Sequence, residues 1–160
     1  MSDSFNVADL LARAAREQPE ALAVAMPSGP RGARRTYQQT TFKQLHQESD
    51  RLAAGMLRSG IRPGMRIVLL VPFSTNFIRW VFAVLKSGAV MVLVDPGMGR
   101  RNMIRCLQNV DPDGFIAEGT GDNIFFVILH TIEPSLKCFC ESLGDFPLIN
   151  FVALSSVLLF

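Results

Sequence analysis

Two apolar runs, RIVLLV at 66–71 and AVMVLV at 89–94, do most to restrict what this chain can fold into. Neither alternates apolar with polar residues. A strand of that kind is expected to be covered on both faces, as in parallel sheets, whereas a half-wet strand would alternate. Pro72 stops the first run, because proline has no amide to continue a ladder. Between the runs, Ser74 or Thr75 can cap a helix reaching about residue 87, NFIRWVFAVLKS. Its apolar residues go nearly all round, so it is expected to lie between layers, with Trp80 packing rather than serving a substrate. Gly88 ends it. Strand, helix and strand in this order leave a crossover long enough for parallel pairing, with a right-handed connection expected.

The flanking stretches extend this unit. Val7, Leu10, Leu11 and Ala14 fall at helical spacing after Asn6, a cap candidate, and before Pro19. ALAVAM (21–26) and RTYQQT (35–40) read as two strands around PSGPRGARR (27–35), whose Pro and Gly are turn chemistry. Thr41-Phe-Lys-Gln44 fits a capping box. The helix it opens shows one apolar face, Phe42, Leu45, Leu52, Ala53, Met56 and Leu57, and ends at Gly60. His46, Glu48, Asp50 and Arg51 fall mostly on the wet side. After a Pro63-Gly64 turn comes the central unit. A further helix is expected at about 99–109, with Met103, Ile104, Leu107 and Val110 inward, then the turn DPDG and a strand beginning at FIA (115–117). The expected fold class is α/β: a mainly parallel sheet with flanking helices.

Composition matters mainly where it changes. All thirteen arginines lie at or before Arg105. Residues 1–117 carry 15 basic and 9 acidic side chains; residues 118–160 carry 1 and 5, and half of the twelve phenylalanines. The expected division is therefore 1–117 and a divergent hydrophobic tail, 118–160. Within the tail, IFFVILHTIEP suits either a strand or a buried helix. The closing run FPLINFVALSSVLLF falls short of the roughly 20 apolar residues that span a bilayer, so a membrane anchor is disfavoured. The net charge of only +2 gives no basic stripe for nucleic acid.

Few residues invite chemistry. Cys106, Cys138 and Cys140 make no disulfide framework, and the Cys-x-Cys pair has no second pair to complete a zinc site. His130 adds no metal spacing that would change this. Free thiols, and a start with no secretory signal pattern, fit a cytoplasmic location. Arg31, Arg34 and Arg35 could clamp phosphate, but a solvated hairpin tip is the plainer reading. His46 has no evident triad partner. DPGMGRRN (95–102) imitates a dinucleotide turn: Gly97 and Gly99 could supply the first two glycines. Asn102 stands at the third, Asp95-Pro96 lengthens the turn, and a strand–helix–strand precedes it where the fingerprint would open one. A strand end and helix start explain it better.

Taken together, RTYQQTTFKQLHQESDRLAAGMLRSGIRPGMRIVLLVP and FIRWVFAVLKSGAVMVLVDP resemble the N-terminal region of adenylate-forming enzymes, the AMP-dependent acyl-CoA synthetases and ligases. The order carries the resemblance: a Thr-Tyr strand, a Phe-x-x-Leu helix start, an Ala-rich helix ending in Gly, a Pro-Gly turn and an apolar strand ending in Pro. A helix ending Leu-Lys-Ser-Gly-Ala and a strand ending Asp-Pro complete it. DPGMGRRNMIRCL looks most like the long-chain fatty-acid ligase-like branch that includes the olefin β-lactone synthetases. The resemblance covers about residues 5–117. Met65 departs from it, standing where an acidic residue commonly follows the Pro-Gly turn.

The resemblance implies a partial N-terminal subdomain of the adenylate-forming fold. It also implies a two-step reaction in the full-length family. A carboxylic acid attacks the α-phosphate of Mg-ATP to give an acyl-adenylate, and a second nucleophile, often the CoA thiol, displaces AMP. In the β-lactone branch an internal hydroxyl does so. The family's Ser/Thr/Gly-rich phosphate loop ends in Pro-Lys and lies beyond the matched stretch. EGTGDN (118–123) is the only glycine-threonine cluster here, and no Lys or Arg follows it until Lys137. No catalytic, cofactor-binding or metal residue is therefore carried over, and ATP, Mg and CoA are expected of the full-length family rather than of these residues. The expected function is a fragment or truncated isoform of an ATP-dependent fatty-acid ligase, inactive alone, its tail arising from an alternative exon, read-through or frame change. A non-catalytic interaction module, or pseudoenzyme, is the alternative. Unpaired sheet edges and bared apolar faces would favour self-association or a partner.

Overall fold

The structure, a computed structural model, describes residues 6–28, 36–118 and 124–128. Its contacts divide the chain into two units, residues 1–60 with 73–87, and residues 61–72 with 88–160.

The first unit contains helix α1 (Val7–Glu17), strands β1 (Leu22–Ser28) and β2 (Thr36–Thr41), helix α2 (Phe42–Arg58) and helix α3 (Thr75–Lys86). Side-chain caps set the helix starts. Asn6 accepts from the Ala8 amide and opens α1, Thr41 and Gln44 complete the capping box of α2, and Ser74 accepts from the Phe77 amide at α3. The far end of α2 closes through Ser59 and Gly60, whose φ of 96° a side chain would resist. Strands β1 and β2 form an antiparallel ribbon. Pro27 and Ser28, expected in the turn, lie in β1 opposite Tyr37 and Thr36. A two-stranded ribbon has free outer edges, so the missing proline amide breaks no ladder.

Two helix faces differ from their pattern. In α1, Ala8 and Leu11 are buried while Val7 and Leu10 are exposed. In α2, Leu45, Ala53 and Met56 are buried as expected, joined by Ser49 and Gly55, while Leu57 is exposed.

The second unit is the sheet, with β3 (Arg66–Leu70), β4 (Val90–Leu93), β5 (Gly114–Glu118) and β6 (Ile124–Ile128), together with helix α4 (Arg100–Val110). The strand order is β4-β3-β5-β6. β3 pairs in parallel with both β4 and β5, while β5 and β6 are antiparallel. The fold is thus α/β with a mainly parallel sheet. The IFFVI portion of the tail is a strand, which resolves the two options the sequence left for it. On one face Val68, Leu107 and Phe115 form a buried cluster, with Leu70, Val92, Val94 and Met103 packed against it. Leu107 is the one fully buried member of the inward set expected on α4, with Met103, Ile104 and Val110 half-buried.

Strand β4 corrects an expectation. It was to be covered on both faces, yet Val90 is 50% and Leu93 56% exposed. The reason is position: β4 is an edge strand and β3 an interior one. No helix among the described residues is long and apolar enough to cross a membrane.

Candidate functional site

The glycine turn is where a nucleotide would be sought first. β4 ends at Leu93, Asp95 caps the 3-10 turn Pro96–Met98, and Gly99 precedes α4 with φ 81° and ψ 151°. That combination is reached essentially by glycine alone. The Asp95 carboxylate accepts from the Gly97 amide at 2.8 Å. A phosphate cradle needs free amides aimed at an anion. Here the Gly97 amide is already taken, and by a carboxylate that would repel phosphate. Asn102 reaches back to the Met98 carbonyl at 3.0 Å, tying the first turn of α4 to the 3-10 turn. Aspartate and asparagine thus tie the turn to the strand end and to α4, whose start at Gly99 has no side-chain cap.

A second polar constellation ties the starts of β3 and β5 to the end of α4. Arg66 Nη1 donates to the Val110 carbonyl at 2.7 Å, and its Nη2 lies 3.3 Å from Asp111 Oδ2. The Arg66 amide donates to Asp113 Oδ2 at 2.7 Å, and the Asp113 amide donates to the Arg66 carbonyl at 2.8 Å. A cation at the carboxyl end of a helix answers its unpaired carbonyls. The arrangement is architectural; the sequence marked DPDG as a turn but not its carboxylates as partners of Arg66.

His46 and Glu48 are half-buried and Asp50 is exposed, in keeping with their place toward the wet side of α2, yet all three also meet cations of α3. His46 and Asp50 both contact Lys86, while Glu48 Oε2 lies 2.6 Å from Arg79 Nε. Helical periodicity sorts residues by face but does not show that the cations of α3 come to meet this one. Trp80 is buried, in keeping with a packing role. Cys106 is a free, half-buried thiol on α4. No group of three or more His, Cys, Asp or Glu among the described residues is placed to hold a metal. Arg31, Arg34, Arg35, His130, Cys138 and Cys140 lie outside the described residues.

Comparison with known proteins follows the same scaffold. The family model described as AMP-binding enzyme matches residues 11–140. An olefin beta-lactone synthetase of Xanthomonas campestris pv. campestris is 41% identical over 119 residues, which are 72% of this chain and 21% of that protein. One from Stenotrophomonas maltophilia is 42% identical over 120 residues, covering 72% and 22%. The chain thus spans about a fifth of the length of these relatives. Among solved structures, the Klebsiella oxytoca NpsA N-terminal subdomain superposes with a TM-score of 0.62 at 19% identity, over 72% of this chain and 28% of that one. VinN in complex with 3-methylaspartate gives 0.62 at 25% identity, over 72% and 30%. The first of these is a likeness of fold; the matched residues and the identity to the synthetases go further, and the chain belongs to the AMP-binding enzyme family.

Proposed function

We propose that these residues supply the N-terminal scaffold of an ATP-dependent carboxylic-acid ligase that forms acyl-adenylates, with a fatty acid as the acid. In that reaction a carboxylate oxygen bonds to the α-phosphorus of ATP and the bond to pyrophosphate breaks. A nucleophile then attacks the acyl carbonyl and AMP leaves. Charge gathers on phosphate oxygens during the first step, so catalysis needs preorganised donors and a cation there.

The observation that carries the reading is the identity of 41–42% to two olefin beta-lactone synthetases over 119–120 residues. The described residues show no group of three or more His, Cys, Asp or Glu placed for Mg2+, and the cations and turn amide considered above are already engaged. The glycine turn faces its own carboxylate, and Lys86, Arg79 and Arg66 are each engaged by acceptors of the fold. No step is therefore assigned to a residue of this chain. Its part is to hold the sheet and helices on which a site is built, in a cytoplasmic enzyme.

Carboxylate-dependent exchange of labelled pyrophosphate into ATP is the test. The 160-residue chain alone is expected to give no exchange above a no-enzyme control across short-, medium- and long-chain fatty acids. Robust exchange would overturn the scaffold reading.

A second reading, a non-catalytic interaction module, is favoured by one observation. Among the described residues strand β4 is at the edge of its sheet, with Val90 and Leu93 exposed. Such an edge is a template for another strand. The two readings part over the gene: only the ligase reading requires a phosphate loop and a C-terminal lysine domain encoded in the complete locus.

A further inference from the structure

Helices α2 and α3 pack against each other, and the polar groups between them are arranged with more specificity than adhesion needs. The Lys86 side chain is only 11% exposed. Its ammonium lies 2.7 Å from Asp50 Oδ1, 2.8 Å from Ser49 Oγ, and 2.9 Å from both the carbonyl and the Nδ1 of His46. All of these acceptors belong to one turn of α2. Ser49 is fully buried and donates its own proton to the Leu45 carbonyl at 2.7 Å, leaving a lone pair for the lysine. An ammonium can only donate. The ammonium has three protons for these four acceptors; where one goes to His46 Nδ1, that nitrogen presents its lone pair and the ring proton of a neutral imidazole sits on Nε2, 3.2 Å from Asp50 Oδ2.

Arg79 lies seven residues earlier on α3, about 10.5 Å along the axis at 1.5 Å per residue. Its Nε is 2.6 Å from Glu48 Oε2, on that same turn of α2. Two cations nearly two turns apart on one helix thus converge on a single turn of the other.

We propose that Lys86 with His46, Ser49 and Asp50, backed by Arg79 with Glu48, is a register pin: it selects one packing of α3 on α2 rather than strengthening that packing. The sequence of α3 explains the need. Phe77, Ile78, Trp80, Val81, Phe82, Val84 and Leu85 surround the helix, so several rotations would offer α2 a comparably apolar face. Hydrophobic burial is non-directional and does not choose among them. The cations do. A slip of one turn, about 5.4 Å, draws Lys86 from its acceptors or Arg79 from Glu48 and leaves a charge buried without its partner. A paired buried ion, by contrast, adds little net stability, because desolvation offsets the attraction; fixing register is its best-attested return.

The test compares the 160-residue chain with Lys86→Met and with the triple variant Lys86→Met/His46→Leu/Asp50→Leu. Readouts are thermal melting, dye binding to exposed apolar surface, amide resonances of α2 and α3, and the side-chain nitrogen shifts of His46. Wild type is expected to show one resonance set and an Nε2-protonated His46. The triple variant is expected to melt within a few degrees of wild type while its α2 and α3 resonances split or broaden and dye binding rises several-fold. Lys86→Met leaves Asp50, whose side chain is 51% exposed, to water, and is expected to melt within a few degrees of the triple variant. A triple variant with one sharp resonance set would overturn the proposal. So would one that melts far below wild type, since the cluster would then be a source of stability. An Nδ1-protonated His46, or several resonance sets in wild type, would also overturn it.

Discussion

Strands β3 and β4 look alike in sequence and fare differently in the sheet. Both are apolar runs without alternation, and they lie side by side in parallel register, Ile67 beside Met91 and Leu69 beside Leu93. Yet Leu69 is 3% exposed and Leu93 56%. Their neighbours differ: among the described residues β3 has β4 on one side and β5 on the other, and β4 has one partner. An apolar run reports that a strand can be buried. Its place in the sheet decides whether it is.

The sharpest way to break this comparison is to truncate matched residues on the two strands. Leu69, the partner of Leu93, is 3% exposed, and Leu69→Ala is expected to cost about 2–5 kcal/mol through lost transfer energy and the cavity left behind. Leu93→Ala is expected to cost about 0.5 kcal/mol or less, in the range of surface substitutions. Urea titration of both variants measures the difference. Equal losses would mean that the edge of β4 is covered in solution and that the contrast between the strands is not real.

Next in size is the turn that leads from β4 into α4. Gly99 holds φ 81°, and the space a Cβ would enter there is open, so Gly99→Ala meets backbone strain alone, about 1–3 kcal/mol. Gly97 lacks a positive φ, and an added Cβ would meet Asp95 Oδ1 at 3.1 Å, a contact a small shift of the carboxylate relieves. The expected order of melting temperatures, from highest to lowest, is wild type, Gly97→Ala, then Gly99→Ala. The two variants in reverse order would mean that the Asp95 cap, rather than the Gly99 backbone, controls the turn.

These cases show what the sequence made legible. Signals that act within a few residues were readable: the Asn6, Thr41 and Ser74 caps, the glycine ends and the strand–helix–strand order. Each depends on local backbone chemistry, and each is in place. What failed to show was set by distant partners. The exposure of β4 depends on which strands sit beside it, and the engagement of His46 and Asp50 depends on Lys86, about forty residues away. The glycine turn lay between these cases. Asn102 and Asp95 argued against a dinucleotide site, but that Asp95 caps Gly97 is a matter of geometry. No catalytic residue was assigned from the sequence, because the family's phosphate-loop pattern has no counterpart in these residues to which roles could be carried.

The capping box offers a smaller test of the local side of this contrast. Thr41 accepts from the Gln44 amide at 3.3 Å while Gln44 Oε1 accepts from the Thr41 amide at 2.9 Å. Thr41→Ala is expected to cost about 1 kcal/mol, and Thr41→Ser to restore most of it, because the hydroxyl rather than the methyl does the capping. Both are measured by thermal melting. If Ser fails to restore stability, packing of the β-branched side chain at the end of β2 matters more than the cap.

The smallest expected effect on stability belongs to Leu93→Lys, yet it tests the meaning of the open edge most directly. Placing a charge on an edge strand is how natural sheets discourage pairing with another chain. The Leu93 side chain is already more than half exposed, so a lysine there can keep its ammonium in water with little penalty, about 0.5 kcal/mol or less. If the open edge of β4 drives association of the 160-residue chain, sedimentation velocity should show wild type associating with concentration. Leu93→Lys should shift that association to higher concentration while melting nearly unchanged. Loss of association with a large fall in stability would instead place Leu93 in the core. Unchanged association would move the contact away from β4, toward the exposed apolar residues of the other unit, Val7, Leu10 and Phe73.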